Sequence, residues 1–280
     1  MKGKIYSINA GIYTIKDENN LSHNLPALGV LRHQNIKPLV GDYVEFDEDK
    51  YLTKILPRKN NFVRPAVANI DYIIIVMSLK EPTFQSFLVD KYMSYIEAYN
   101  IEPILFITKT DLSADNMYKN EYEKLGYQVY EINYKTDEWV KNIKHLFVNK
   151  TNVLMGQSGV GKTTIINKIS DNNFKTQEIS KFANRGKHTT RIVSIIDVFE
   201  NGQIIDTPGF SSLDINLTQT ELANSFKQFR ELGKYCKFKS CLHLNEPEEL
   251  CNVKIAYKNK IVPEFRYKNY LKLMQEVKNE

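Results

Sequence analysis

The chain has 280 residues, 42% of them hydrophobic and 25% charged, which is ordinary for a soluble protein and predicts roughly two domains at about 150 residues each. The longest apolar runs fall far short of the ~20 residues needed to cross a bilayer, so we expect a cytoplasmic protein with no membrane partner. The net charge of +5 is concentrated at the ends, +3 over residues 1–70 and +4 over 218–280, which indicates flanks that contact a polyanion, unless the excess is only a solvated surface.

The first part of the chain alternates apolar and polar residues over short stretches. Three such stretches, 4–8, 11–15 and 42–46, are separated by turn-forming residues, with no helical period between them. This pattern predicts a small all-β barrel of the OB type over residues 1–65. A barrel of this type binds oligonucleotides on one face, although a barrel used only as a spacer would have the same pattern.

From Asp71 onward, short apolar strands alternate with helical segments. Strands are predicted at 72–77, 104–107, 128–132 and 152–155, and helices at 87–99, 118–125 and 138–146. This alternation predicts a parallel α/β sheet covered on both faces, over residues 66–217. Ligands of such sheets bind at the carboxyl ends of the strands, so the residues just after each strand are candidates for chemistry.

The residues Thr108-Lys109-Thr110-Asp111 follow the second of these strands. A carboxylate at Asp111 can accept hydrogen bonds from N1–H and the exocyclic amine of guanine, a donor pair that adenine lacks. The usual GTPase motif is Asn-Lys-x-Asp, and Thr108 replaces the Asn. On its own the segment could also be a simple turn.

A complete P-loop pattern, Gly156-Gln157-Ser158-Gly159-Val160-Gly161-Lys162-Thr163, follows the strand that ends at Met155. Its glycines allow backbone N–H groups to surround phosphate oxygens at a helix N-terminus. Lys162 is expected to reach the outer phosphates, and Thr163 to offer a hydroxyl to Mg²⁺. The alternative, a glycine-rich turn without a ligand, has little support given the strand before and the helix after.

A second phosphate motif, Asp206-Thr207-Pro208-Gly209, follows the strand-like residues 203–205. Asp206 can hold the water shell of Mg²⁺, and the N–H of Gly209 can sense the γ-phosphate. The base-reading motif precedes the P-loop, whereas in ordinary GTPases it follows both phosphate motifs. The order therefore predicts a circularly permuted P-loop GTPase domain, because all these loops meet at one edge of the sheet.

The three cysteines of the chain lie close together in the sequence, which argues against a disulfide framework. Together with one histidine they form the pattern Cys236-x4-Cys241-x-His243-x7-Cys251. Three thiolates and one imidazole match a closed tetrahedral zinc site, and a closed site is structural rather than catalytic. Three unrelated buried cysteines beside a histidine are the alternative.

With these motifs, the chain resembles the circularly permuted small ribosomal subunit biogenesis GTPases, the RsgA, YjeQ and YloQ family, over nearly its whole length. The resemblance implies an N-terminal OB-fold (1–65), a central GTPase domain (66–217) and a mostly helical C-terminal zinc domain (218–280). It also implies contacts with ribosomal RNA, and GTP hydrolysis that the small subunit stimulates.

The resemblance gives a role to the segment Gly186 to Arg191, which corresponds to the first switch of the family. It implies that His188 helps to position the attacking water, with Thr189 or Thr190 as the Mg²⁺ ligand. His188, Lys162 and Gly209 are thus the expected catalytic residues, and Thr163, Thr190 and Asp206 the expected Mg²⁺ ligands. The expected nucleotide contacts are Thr108, Lys109, Asp111, Gly156, Gln157, Ser158, Gly159, Val160, Gly161, Lys162, Thr163, Thr164, Thr189, Thr190, Asp206 and Gly209.

The sequence therefore predicts a monomeric GTP hydrolase with GTP or GDP, Mg²⁺ and one structural Zn²⁺, which docks on the small ribosomal subunit late in its maturation and is released by hydrolysis. The alternative is an RNA-binding module that keeps GTP as a structural ligand. The sequence leaves open which RNA elements are contacted, which maturation step is involved, and which residues near Asn133 face the guanine and ribose.

Overall fold

The computed structural model describes residues 1–29, 37–48, 50–170, 193–207 and 217–277. The described chain forms two compact units, one of residues 1–72, 140–158 and 162–211 and the other of residues 73–139, 159–161 and 212–280. Four predicted site residues, His188, Thr189, Thr190 and Gly209, lie outside the described residues. No helix in the described ranges has both the length and the hydropathy that a membrane crossing requires.

Thirteen strands and eight α-helices are described, with short 3₁₀ turns at Thr110–Leu112, Lys144–Leu146 and Glu248–Leu250. The strands are β1 (Lys2–Asn9), β2 (Ile12–Asp17), β3 (Ser22–Pro26), β4 (Tyr43–Phe46), β5 (Leu52–Ile55), β6 (Asn61–Phe62), β7 (Val67–Ala68), β8 (Tyr72–Ser78), β9 (Pro103–Thr108), β10 (Gln128–Ile132), β11 (Thr151–Met155), β12 (Ser194–Val198) and β13 (Gly202–Asp206). The helices are α1 (Ser86–Ala98), α2 (Met117–Lys124), α3 (Glu138–Ile143), α4 (Lys162–Ser170), α5 (Gln219–Ser225), α6 (Lys227–Gly233), α7 (Asn252–Lys258) and α8 (Glu264–Glu276).

Strands β1 to β5 of the first unit form the predicted N-terminal barrel. The strand β1 pairs antiparallel with both β2 and β4, with Ile5 opposite Ile15, and β4 pairs with β5. A bridge between Ala27 and Leu52 connects the chain after β3 to β5. Because successive side chains of a strand point to opposite faces, every second side chain enters a shared apolar core. The core residues are Ile5, Ile15, Leu25, Val44, Phe46 and Leu52.

Strand β1 also continues into the α/β part of the same unit. Ser7 pairs with Ser194 of β12, β12 pairs antiparallel with β13, and β13 runs parallel to β11. Because β11 and β13 are parallel, the start of the P-loop after β11 and Asp206 at the end of β13 lie at the same edge of this sheet.

The second unit contains a parallel sheet and the C-terminal helices. Strands β8, β9 and β10 run parallel, and all seven residues of β8 but the first, and all six of β9, are buried, as expected for strands covered on both faces. The helices α5 to α8 pack around aromatic and aliphatic side chains that include Phe226, Phe229 and Tyr270. The predicted order of barrel, α/β domain and mostly helical C-terminal segment is therefore confirmed.

Candidate nucleotide-binding site and metal centre

The P-loop leaves β11 at Met155 and enters α4 at Lys162. Gly159 and Gly161 have φ values of +79° and +101°, which residues other than glycine rarely adopt. The positive φ favours glycine at Gly161, and an added Cβ there would lie 2.1 Å from the hydroxyl oxygen of Tyr134 and displace it. Val160 between them is fully buried and anchors the loop.

In the first unit, the half-buried side chains of Lys162 and Asp206 interact electrostatically. The Nζ atom of Lys162 donates to the carbonyl oxygens of Gly156 and Gln157, at 2.7 Å each. Burial lowers the pKa of Lys162, which Asp206 partly offsets, and burial raises the pKa of Asp206, which Lys162 partly offsets. A lysine whose hydrogen bonds go to carbonyl oxygens can turn to an anion such as a phosphate, and a desolvated carboxylate favours a cation.

The predicted base-reading motif contacts the P-loop directly within the second unit. Thr108, the last residue of β9, is fully buried, and its hydroxyl donates to the carbonyl oxygen of Val160 at 2.5 Å. A buried carbonyl without a donor is costly, so this bond holds the base-reading strand end against the phosphate-binding loop. The threonine that departs from the usual motif therefore has a defined structural contact.

Tyr134 makes a second such contact that the sequence did not identify. Its hydroxyl donates to the carbonyl oxygen of Gly161 at 3.1 Å, and its ring lies edge-on to the buried Trp139. Burial raises the pKa of Tyr134 to about 12, so the hydroxyl remains a donor at neutral pH. The residue lies in the loop after β10, where the sequence left the base-facing residues open, and its only sequence signal was this position after a strand.

Lys109 and Asp111 are the other two predicted nucleotide contacts of the base-reading motif. One carboxylate oxygen of Asp111, Oδ1, is buried and has no hydrogen-bond partner. Such an orphaned acceptor fits a ligand that supplies an N–H, as guanine does. Lys109 adopts a left-handed backbone conformation with a φ of +57°, and its Nζ atom donates to the carbonyl oxygen of Glu81.

The predicted metal ligands Cys236, Cys241, His243 and Cys251 come together in the C-terminal segment, and their ligand atoms all lie within 4.8 Å of one another. The three Sγ atoms lie 3.8, 3.3 and 3.4 Å from Nδ1 of His243. Tetrahedral zinc, with bonds of about 2.3 Å to sulfur and 2.0 Å to nitrogen, gives S···N separations of about 3.5 Å. The donor set and its spacing therefore fit zinc.

The position and protonation of His243 also suit a metal ligand. Glu246 accepts hydrogen bonds from the N–H groups of Leu242 and Leu244, and the hydroxyl of Tyr267 donates to the carbonyl oxygen of His243 at 2.9 Å. Burial lowers the pKa of His243 to about 4, which keeps its ring neutral. Burial raises the pKa of Cys241, so thiolates here need a cation to balance them.

Comparison with known proteins identifies the family. The sequence model of the RsgA GTPases matches residues 55–216, and that of the RsgA N-terminal domain matches residues 2–52. The chain belongs to the RsgA GTPase family. It is therefore a GTPase, and the family implies a guanine nucleotide as its substrate.

Among the relatives, the small ribosomal subunit biogenesis GTPase RsgA of Mycoplasmopsis agalactiae is 73% identical over 280 residues, covering 100% of this chain and 99% of that protein. The protein of the same name from Mycoplasmopsis pulmonis is 49% identical and covers 99% and 100%. These RsgA proteins match the chain through the barrel, the GTPase motifs and the C-terminal segment alike.

Two solved structures of the family share the fold. YloQ, described as a circularly permuted GTPase, is 34% identical with a TM-score of 0.78, covering 98% of this chain and 94% of that one. YjeQ from Thermotoga maritima is 30% identical with a TM-score of 0.80, covering 98% and 97%. The permuted order predicted from the motifs is therefore confirmed for this RsgA-family chain.

Proposed function

We propose that this chain is a GTPase whose nucleotide state controls its docking on the small ribosomal subunit during late maturation of that subunit. The observation that carries the nucleotide part is the hydrogen bond from Thr108 to Val160, which joins the base-reading motif to the P-loop despite the permuted order. The names of the similar relatives support the ribosomal part, because each of them is a small ribosomal subunit biogenesis GTPase.

The described residues would divide the work on GTP between base and phosphates. Asp111 would accept the donors of guanine at its orphaned oxygen, while Lys162 would leave the carbonyls of Gly156 and Gln157 and contact the phosphates. Thr163 and Asp206 would hold Mg²⁺, whose charge stabilises negative charge that develops on the phosphate oxygens. Thr163, Asp206 and Thr190 together form the proposed set of Mg²⁺ ligands.

Hydrolysis would be slow in the isolated protein. Phe210 follows Gly209, where other GTPases soon place a glutamine that orients water, and the sequence shows no arginine finger. We propose that the γ-phosphate and Mg²⁺ contact the segments 187–191 and 206–210, and that binding to the small subunit raises turnover. Hydrolysis would then remove the γ-phosphate that these segments contact and release the protein.

The test is GTP turnover of the purified chain, measured with and without purified small ribosomal subunits. We expect subunits to raise the turnover number, and the Lys162→Ala variant to lose the stimulated activity. Large ribosomal subunits at the same concentration are the matched control and should not stimulate. Equal turnover with and without small subunits would contradict the proposal.

The Lys162→Ala variant also distinguishes a GTPase that cycles on the subunit from an RNA-binding module that keeps GTP as a structural ligand. If Lys162→Ala loses hydrolysis but still binds small subunits and can no longer be released from them, hydrolysis drives the cycle. Normal maturation in cells that carry only Lys162→Ala would favour the module instead.

A further inference from the structure

The cysteine loop, residues 234–240, leads from helix α6 into the metal cluster and carries two aromatic rings that are exposed to solvent. Tyr235 is 78% exposed and Phe238 is 46% exposed, although the apolar core of the C-terminal helices lies close by in the chain. Neither ring contributes to that core or contacts another ring among the described residues. Exposed aromatic rings carry a cost in water that a partner can relieve.

The backbone of the cysteine loop is nonetheless well fixed. The N–H of Lys237 donates to the carbonyl oxygen of Leu250 at 2.9 Å, and the N–H of Cys241 donates to the carbonyl oxygen of Phe238 at 3.2 Å. Cys236 inside the loop and Cys241 just after it belong to the metal cluster. The two rings are therefore presented by a short segment that is held at both ends, so little conformational entropy is lost when a partner binds.

The charge around the rings is positive. Lysines alternate with the aromatic residues in the sequence Lys234-Tyr235-Cys236-Lys237-Phe238-Lys239. Lys234 has a partner in Glu231, whereas Lys237 and Lys239 have no carboxylate within ion-pair distance among the described residues. A cleft of about 280 Å³ beside the loop is lined by three basic side chains and no acidic one; the basic residues are Arg230, Lys234 and Lys239.

We propose that the cysteine loop is a stacking surface for unpaired RNA bases, with Tyr235 and Phe238 under successive bases and the flanking cations on the phosphates. Flat exposed rings interleaved with lysines are the combination that single-stranded nucleic acid requires, because every base has a π-face and every linkage has a charge. An apolar protein surface would cover the rings but leave the lysines without counter-charges. The proposal rests on the proposed ribosomal function and names the kind of RNA that this segment would contact.

The test is fluorescence anisotropy of the full chain with a labelled, unstructured oligoribonucleotide of about twelve nucleotides, the size range that such modules cover. Tyr235→Ala and Phe238→Ala should each raise the Kd by about 5- to 100-fold, as loss of one stacked base implies. Lys237→Gln and Lys239→Gln should each reduce the slope of log Kd against log salt by about 0.7. Zinc content and thermal midpoint, measured for each variant, show that the cluster is intact.

Conservative variants distinguish stacking from apolar contact. Tyr235→Phe and Phe238→Trp keep a flat ring and should bind like the wild type, whereas Phe238→Leu keeps the apolar surface and should bind as weakly as Phe238→Ala. Ile261, which is 60% exposed in the same unit, provides the control Ile261→Ala, with unchanged affinity. Wild-type affinity of Phe238→Leu, or equal affinity for a duplex of the same length, would overturn the proposal.

GTP turnover with small subunits, measured on the same variants, separates the two proposals. If the ring variants bind the oligonucleotide normally but lose stimulation, the rings contact protein and the RNA surface is overturned. If subunits fail to stimulate even the wild type while the ring variants lose oligonucleotide affinity, the RNA surface stands and the proposed function fails.

Discussion

At the scale of single residues, two hydroxyl groups hold adjacent carbonyl groups of the P-loop. Thr108 donates to Val160 and Tyr134 donates to Gly161, so the end of β9 and the loop after β10 both fix the backbone that would surround the phosphates. Preorganisation of this kind lowers the cost of nucleotide binding, because the loop does not have to be ordered by the ligand.

Replacement of the first hydroxyl tests this role. Thr108→Val keeps the shape of the side chain but leaves the buried carbonyl of Val160 without its donor, at a cost of about 1–2 kcal/mol. We expect GDP to bind about 5- to 30-fold more weakly in a titration with a fluorescent GDP analogue. Thr108→Ser keeps the donor and is the matched control. Equal affinities of the Val and Ser variants would show that the hydroxyl does not matter.

The unpartnered oxygen of Asp111 predicts a change of base preference. Asp111→Asn exchanges an acceptor for an amide that can donate, which suits xanthine, because xanthine has a carbonyl where guanine has its amine. We expect GTP affinity to fall by at least ~100-fold and XTP to become the better substrate. Competition binding with GTP, XTP and ATP measures this. If Asp111→Asn still preferred GTP, the guanine base would not contact residue 111.

Lys4 of β1 is a buried cation in the first unit. Its Nζ atom donates to Thr151 at 2.7 Å and to Gln203 at 2.6 Å, and burial lowers its pKa to about 8, although Asp71 and Asp197 raise it. Between about pH 8 and the ordinary pKa of lysine, the unfolded chain binds a proton that the folded chain lacks, so stability rises with pH in this interval.

Relative to Lys4→Met, the wild-type chain should therefore gain about 2 kcal/mol of unfolding free energy between roughly pH 7.5 and pH 10. Urea denaturation across this range measures the difference. The exposed neighbour Lys2 supplies the control Lys2→Met, which should show no such dependence. If the difference in unfolding free energy between the wild type and Lys4→Met did not change with pH, the pKa of Lys4 would not be lowered in the folded chain.

At the scale of elements, a buried ion pair joins the C-terminal helix α8 to α1. Arg266 donates to Asp90, and both side chains are fully buried. Tyr122 and Asn269 donate to the same carboxylate, at 2.9 and 2.6 Å. A charge in this position is tolerated only while its partner is present, so the pair couples the two helices.

Removal of the cation should therefore be costly. Arg266→Met leaves the Asp90 carboxylate uncompensated, and we expect a loss of about 3–5 kcal/mol of unfolding free energy in urea denaturation. Lys268→Met breaks the exposed pair with Glu264 on the same helix and should leave the unfolding free energy almost unchanged. Similar losses for the two variants would mean that the buried pair does not stabilise the junction.

The strands and helices that the sequence predicted are those with a strong hydrophobic period. The strand Gln128–Ile132 was predicted with its observed bounds, and the helix predicted at 138–146 is observed as α3 followed by a 3₁₀ turn at Lys144–Leu146. Strand β3 was missed because Leu25 and Pro26 are its only apolar residues, which leaves no hydrophobic alternation to detect in the sequence. The pairing of β1 with β12 was also not predicted, because nothing local in either strand specifies a partner almost 190 residues away.

At the scale of the whole molecule, motif order revealed the permutation, because each motif carries its own chemistry wherever the chain begins. The cysteine and histidine spacing likewise predicted the cluster of Cys236, Cys241, His243 and Cys251 that the structure assembles. The contact of Tyr134 with the P-loop could not be predicted, since it depends on where two distant loops meet in space. The roles assigned to His188, Thr189, Thr190 and Gly209 remain predictions.

In the proposed cycle, the bound nucleotide decides whether the protein stays on the small ribosomal subunit. The measurement is sedimentation of the chain with purified small subunits, in the presence of either a non-hydrolysable GTP analogue or GDP. We expect the protein to sediment with the subunits when the analogue is bound and to remain in the supernatant with GDP. The Asp111→Asn variant should show the same difference only with xanthine nucleotides. Equal sedimentation with the analogue and with GDP would show that the bound nucleotide does not control docking.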